Sequence, residues 1–318
     1  SYTAHWTANT YSIVLNANGG QIAGGTLLTH TYDIQTILPD SGISKTGSTF
    51  EGWYEAEDLS GSQVSFIPAT SLWSGDRTFY AKWTLIDYSL TYTSLYSTTH
   101  TNPGSYTYGQ TINLTNPTER LGYTFNGWYV DGIKVISVNT LATKNLVLDA
   151  HWSVIPYSIT YYLNDGTNNA ANPSTYTVAA AVSLTNPTRT GYQFDAWYSD
   201  ASLNSAYRIT GTAIPVGSTG AKSFYATWVA NTLTVKFNAN LGSGAMTDQV
   251  LAYGTAQNLK ANTFTRTAYA FAGWSMTSSG TKAYNDGGTI LNPVTEGSVT
   301  LYAMWAPVTY SISYDLHG

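Results

Sequence analysis

The sequence predicts a mostly β protein made of four tandem modules of about 75 residues each. Three observations predict it. Three short phrases recur in one fixed order along the 318 residues. Each phrase alternates large apolar residues with polar or small ones, the period-two pattern of a half-buried strand. The composition also favours pleated surfaces, with 26 Tyr and 10 Trp beside frequent Thr.

The first phrase opens each module: YSIVLNANGG at Tyr11, YSLTY at Tyr88, YSITYYLNDG at Tyr157 and LTVKFNANLG at Leu233, with YSISYDLHG following at Tyr310. Within residues 157–163, alternation places Tyr157, Ile159, Tyr161 and Leu163 on one face. A middle strand is expected over residues 106–114 and their counterparts. Asn116-Pro117 and Asn186-Pro187 follow as turn signals that end it.

The second phrase is GSTFEGWY (47–54), GYTFNGWY (122–129), GYQFDAWY (191–198) and AYAFAGWS (268–275). Tyr123 and Phe125 share a face by alternation, which would turn Trp128 away from it. The residue before each Trp is small: Gly52, Gly127, Ala196 and Gly273. A β-bulge there would add one residue and return the Trp to the core. A basic residue, Lys45, Arg120, Arg189 or Arg266, stands eight positions before each of these Trp. Its expected task is local, closing the turn into the strand.

The third phrase closes each module: FYAKW at Trp83, LDAHW at Trp152, FYATW at Trp228 and LYAMW at Trp305, with YTAHW at Trp6 before them. Phe79, Ala81 and Trp83 share one face, Tyr80 and Lys82 the other. Ala recurs at 4, 81, 150, 226 and 303, so a ring or backbone is expected close against it. Nine of the ten Trp fall on these two registers, and only Trp73 does not. Trp53, Trp83, Trp128, Trp152, Trp197, Trp228, Trp274 and Trp305 are expected to build the cores. An aromatic side chain buries about 150–250 Å², which suits modules too small for a large aliphatic core.

The modules therefore run 7–83, 84–152, 153–228 and 229–305. Residues 1–6 read as the closing strand of a preceding module and 306–318 as the opening strand of a following one. The chain opens at Ser1 without a Met and reads as an internal piece. Four residues always separate a closing Trp from the next opening strand: TANT, TLID, SVIP, VANT and APVT. A flexible tether could vary in length at little cost, so the constancy predicts a restricted joint and a semi-rigid array.

Charge and residue usage exclude several functions. Net charge is −5 and only 10% of residues are charged, against the basic face that phosphate backbones require. No nucleic-acid partner is expected. Without Cys there is neither disulfide nor thiolate chemistry. No apolar run approaches the roughly 18 residues of a membrane-spanning helix, and no signal peptide is evident. Carboxylates do not recur at one position, and His5, His30, His100, His151 and His317 show no metal-ligand spacing. His5 and His151 precede a closing Trp, where other modules carry Lys82, Thr227 and Met304, so that position is expected to face solvent. NDGT (164–167) and NDGG (285–288) read as turns. No catalytic, cofactor or metal residue is assigned.

The phrases YSIVLNANGG, NPTERLGYTFNGWY, NPTRTGYQFDAWY and FYAKW together resemble the Listeria–Bacteroides repeat, also called the internalin B-repeat. The likeness runs in register through four modules and essentially the whole chain. It implies small β-grasp-like modules of bacterial cell-surface proteins, arrayed between other domains. It further implies adhesion or spacer roles, extracellular placement and no enzyme activity. The second module departs from the pattern: Trp128 and Trp152 stand closer together than their counterparts, and TSLYSTTH (93–100) replaces NANGG. In the fourth, TRTAYAF stands where TRTGYTF is usual.

Two functions follow. The array is a stalk or spacer whose partners are its own neighbouring repeats, or the repeats themselves bind glycan or a host-surface protein. For the second, Trp73 and the outward Tyr80, Tyr225 and Tyr302 are the candidate contacts. Trp73 reads first as an extra core aromatic capping a longer loop, and only second as such a contact.

Overall fold

The computed structural model describes residues 1–69, 73–139 and 141–315. His317 and the last residues of the expected opening strand at 306–318 lie outside them. The chain divides into two compact bodies, residues 1–153 and 154–318, each holding two repeats. Strands dominate. Among the described residues there is no α-helix, and one 3-10 turn spans Ser205–Tyr207.

Every repeat shares a four-stranded sheet, which Ile133–Val135 and Lys282–Tyr284 extend to five strands in repeats 2 and 4. Its order is second strand, opening strand, closing strand, GW strand. In repeat 1 these are Leu27–Thr31, Thr10–Asn16, Arg77–Leu85 and Ser48–Tyr54. In repeat 4 they are Gln249–Ala252, Thr232–Asn238, Gly297–Pro307 and Tyr269–Ser275. The opening and closing strands pair in parallel at the centre of each sheet, as in Ile13↔Arg77 and Val235↔Val299. Their outer neighbours pair antiparallel. Each sheet's buried face is covered by short strand contacts, such as Thr36–Ile37 with Phe66–Ile67 and Gln257–Asn258 with Thr289–Ile290. The mostly β class is as expected.

The bulge in the GW strand is present. Pairing with the closing strand shifts register between Phe50 and Gly52, Phe194 and Ala196, and Phe271 and Gly273. Phe50 and Trp53 consequently face the same core, ring edge to ring face at 5.4 Å. Three of the four small residues take φ values of 119° to 133°, at Gly52, Gly127 and Gly273. A Cβ there would also collide with a neighbouring side chain, 2.5 Å from Lys134 Cε at Gly127. Ala196 makes the same shift without positive φ. Directly opposite the core Trp stands the recurrent Ala, in Trp53↔Ala81, Trp197↔Ala226 and Trp274↔Ala303. The small side chain makes room for the indole.

Four cores result, one per repeat. The GW tryptophans Trp53, Trp128, Trp197 and Trp274 are 0–4% exposed. The closing tryptophans Trp83, Trp152, Trp228 and Trp305 are only half-buried, packed against the edge of each core. They are core residues of a second kind, whose polar edge must find a partner.

One expectation needs correction. The middle strand over 106–114 is two pieces, Ser105–Thr107 and Thr111–Asn113. A turn at Gly109, φ 83°, divides them, closed by Gln110 N–H donating to the Thr107 carbonyl at 3.2 Å. The second piece leaves the main sheet to pair with Ser137–Asn139. Gly254, φ 78°, breaks repeat 4 in the same way. Residues 1–9 and 308–315 are not in strands, and Trp6 is 93% exposed.

Candidate functional site

No three His, Asp or Glu side chains gather into a possible metal site among the described residues. The recurrent features are instead two joints, one inside each repeat and one between repeats.

The joint inside the repeat is a reciprocal clasp. Trp83, Trp228 and Trp305 donate their indole N–H to the carbonyls of Ala17, Leu163 and Ala239, at 2.8, 2.8 and 2.9 Å. The next residue of each opening loop is Asn18, Asn164 or Asn240, at φ 44–49°, a conformation Asn tolerates. Its amide donates back to the carbonyl of Ala81, Ala226 or Ala303 at 2.8–2.9 Å. The loop glycines Gly20, Gly166 and Gly242 lie against the indole, where a Cβ would fall 2.3–2.6 Å from Cζ2. Repeat 2 has Thr98 at this turn position, and Trp152 bonds one residue earlier, to the Ser94 carbonyl at 3.0 Å.

The basic residues close the turn into the GW strand as expected. The carbonyls of Lys45, Arg120, Arg189 and Arg266 accept from the N–H three residues on, at 3.0–3.1 Å. Their side chains are spent locally. Arg120 lies 3.6 Å from the Tyr123 ring centre and 3.8 Å from that of Tyr96, while Lys45 donates to the Asn18 carbonyl.

The joint between repeats starts from the glycine that opens the GW phrase. Gly47 and Gly191 take φ 66° and 77°. Their carbonyls accept from Ile86 and Asn231, three residues beyond the closing Trp, at 3.0 and 2.9 Å. Val308 N–H makes the same bond to Ala268, which sits at φ 65°. The middle of each such linker is thereby fastened to the repeat it leaves. The next repeat then lays a tyrosine over the glycine. A Cβ on Gly47 would stand 2.2 Å from Tyr108 Cβ, and one on Gly191 2.2 Å from Tyr253 Cε1. Tyr253 also meets Tyr192 edge to face at 5.5 Å, and its N–H donates to the Asn231 carbonyl at 2.9 Å. These tyrosines were not singled out by the sequence reading. The Tyr-Gly pairs Tyr108-Gly109 and Tyr253-Gly254 were the signal available.

The candidate surface aromatics part company. Tyr80, Tyr225 and Tyr302 are half-buried on the outer face of their sheets. Tyr225 is stacked on Tyr162 at 4.5 Å and 4°, so one face of its ring is occupied. Trp73 is half-buried too. It stacks over Phe79 at 6.1 Å, lies 4.6 Å from the Arg77 guanidinium, and joins the repeat 1 core. Its remaining surface lines an open cleft of about 580 Å³ with Glu55, Ala56, Ser60, Ser62 and Val64. Both readings of Trp73 therefore keep a structural basis. His151 is exposed and stacks on Tyr129 at 3.8 Å. It also pairs with Asp149 at 3.1 Å. Ser94 and Thr93 donate to the same carboxylate at 2.5 and 2.7 Å and hold its pKa below the ordinary aspartate range.

Among known families, the Listeria-Bacteroides repeat domain model matches residues 11–82, 88–151, 157–227 and 234–304. The chain is also similar to two proteins of Evansella cellulosilytica. One, named "Putative Gly-rich membrane protein", is 26% identical over 99% of this chain and 36% of its own length. The other, named "Putative membrane protein", is 26% identical over 95% of this chain and 45% of its own. The chain thus spans less than half the length of these relatives. No helix among the described residues is long and apolar enough to cross a membrane.

Proposed function

The chain belongs to the Listeria-Bacteroides repeat family, and on that premise we propose that it serves as a non-catalytic, semi-rigid stalk or spacer of a bacterial cell-surface protein, holding other domains away from the envelope in adhesion. One observation carries this reading. The linker residue three places after a closing Trp is bonded to the preceding repeat's turn at Gly47, Gly191 and Ala268. In these three linkers the third of the four residues is an attachment point, which fixes their length. Within each two-repeat body a tyrosine then covers the turn glycine. A joint closed by a main-chain bond and a half-buried ring restricts the angle between successive repeats. The membrane-protein names of the two relatives support placement at the envelope.

Small-angle scattering on the intact chain tests it. Compact repeats of this size have radii of gyration of roughly 11 Å, so four in line are expected to reach on the order of 100–150 Å with a narrow distribution. A compact globule, or a distribution as broad as freely jointed beads, would refute the reading.

A further inference from the structure

We propose that the cleft beside Trp73 in repeat 1 binds a neutral hexose unit of a polysaccharide. The proposal is independent of the stalk reading: a spacer with or without this site keeps its joints.

What sets repeat 1 apart here is the off-register Trp73 beside the Glu55–Arg77 ion pair. Arg77 pairs with Ile13 at the centre of the sheet. At the same register repeat 3 places Lys222, while repeats 2 and 4 place the buried apolar Leu146 and Val299. Repeat 1 puts a guanidinium where those repeats continue the core, meets it with the Glu55 carboxylate, and lays the off-register Trp73 beside it. The core does not require such a group, since Leu and Val serve elsewhere. Two hollows adjoin at Glu55. One, of about 580 Å³, has Trp73, Ser60 and Ser62 in its wall. The other, of about 350 Å³, has Ser74, Asp76, Arg77, Thr78 and Tyr80. Both fall within the usual size of small-ligand sites, about 300–1,000 Å³. The ion pair thus stands between two aromatic rings, each with hydroxyls around it.

That combination suits a sugar. A hexopyranose has an apolar face of C–H groups and a rim of hydroxyls that both donate and accept. The half-exposed indole offers the C–H face a flat apolar surface. Glu55 accepts from hydroxyls and Arg77 donates to them, charge-assisted bonds stronger than neutral ones. Arg77 is paired with Glu55 and Asp76 stands beside them, so the cleft has no uncompensated cation to draw a phosphate or carboxylate, and an acidic sugar is disfavoured. The adjoining hollows fit consecutive units of a chain better than a lone monosaccharide.

The test titrates the intact chain separately with cellohexaose, maltohexaose and chitohexaose, with a hyaluronan hexasaccharide as the acidic comparison, following binding by calorimetry. Saturable binding of at least one neutral hexaose is expected, weakened about tenfold or more by both Trp73→Ala and Glu55→Gln, and less by Trp73→Phe. Glu55→Gln keeps the size of the side chain and leaves the ring in place. It decides the matter if Trp73→Ala lowers the melting temperature of repeat 1. No saturable binding of any neutral hexaose, binding of hyaluronan alone, or binding unchanged in Glu55→Gln would overturn the proposal.

Discussion

Gly20 lies so close beneath Trp83 that a Cβ added to it would stand 2.4 Å from the indole Cζ2. The contact is steric: Gly20 does not take a left-handed φ. Gly20→Ala is therefore expected to displace the ring and loosen the Trp83–Ala17 bond. The cost should be about 1–3 kcal/mol, the usual range for overpacking. Thermal unfolding of the variant measures it, and an unchanged melting temperature would show that the clasp yields freely.

Ala268 occupies a position that is glycine in the other repeats, and it sits at φ 65°. Left-handed backbone costs a residue with a Cβ roughly 1–2 kcal/mol, partly offset by the greater unfolded-state freedom of glycine. Ala268→Gly is expected to stabilise repeat 4 by about 0.5–1 kcal/mol, read as a rise in its denaturant midpoint. A loss of stability would mean that the Ala268 methyl makes a contact worth more than the strain.

Trp128 is 2% exposed and donates to the Thr115 carbonyl at 2.9 Å. Trp128→Ala should destabilise repeat 2 by about 3–5 kcal/mol. Trp73, half-buried over Phe79, should lose clearly less on truncation, about 1–2 kcal/mol. Comparing the two by chemical denaturation checks the ranking, and equal losses would make Trp73 an ordinary core residue.

Tyr253 joins repeat 4 to the turn of repeat 3. Tyr253→Ala is expected to split a shared unfolding transition into two, with repeats 3 and 4 melting separately. Calorimetry on the intact chain would show it, and a single unsplit transition would place the coupling elsewhere.

Asp149 responds to acid. Its folded-state pKa lies below the unfolded value, first because Ser94 and Thr93 donate to it and then through His151. Its stabilising contribution is therefore present above the ordinary aspartate range and lost as pH falls through the folded value. Repeat 2 should weaken below that range more than an Asp149→Asn variant does. Parallel acid titrations of the two proteins would settle whether this carboxylate matters, and coincident curves would show that solvent screens it.

Much of the fold was legible because each phrase states its local rule. Phe125 and Trp128 are one position out of alternation, and a small residue lies between them, so the bulge could be placed before any strand was paired. The closing Trp was legible as a core residue but not as half of a clasp, because its partners Ala17 and Asn18 sit in a loop whose shape depends on left-handed backbone. The break in the middle strand was missed although Gly109 and Gly254 marked it: alternation continued through residues 106–114 and outweighed the glycine. The tyrosines at the joint were marked only by the Tyr-Gly pairs Tyr108-Gly109 and Tyr253-Gly254, since what they touch belongs to the neighbour. At the candidate cleft the sequence supplied Trp73 as an anomaly, but the convergence of Glu55 and Arg77 on it needed the sheet register.

The central parallel pair has a mechanical consequence. The chain enters each repeat on the opening strand and leaves it on the closing strand, and these two run side by side in the same direction, Ile13↔Arg77 through Asn16↔Tyr80 in repeat 1. Tension applied at the two ends of a repeat pulls these neighbours lengthwise past each other in opposite senses. Their cross-strand hydrogen bonds are then loaded together in shear instead of being opened one at a time like a zipper. The outer antiparallel strands carry little of that load until the central pair slips. A repeat wired in this way is expected to yield late and all at once when its ends are pulled apart.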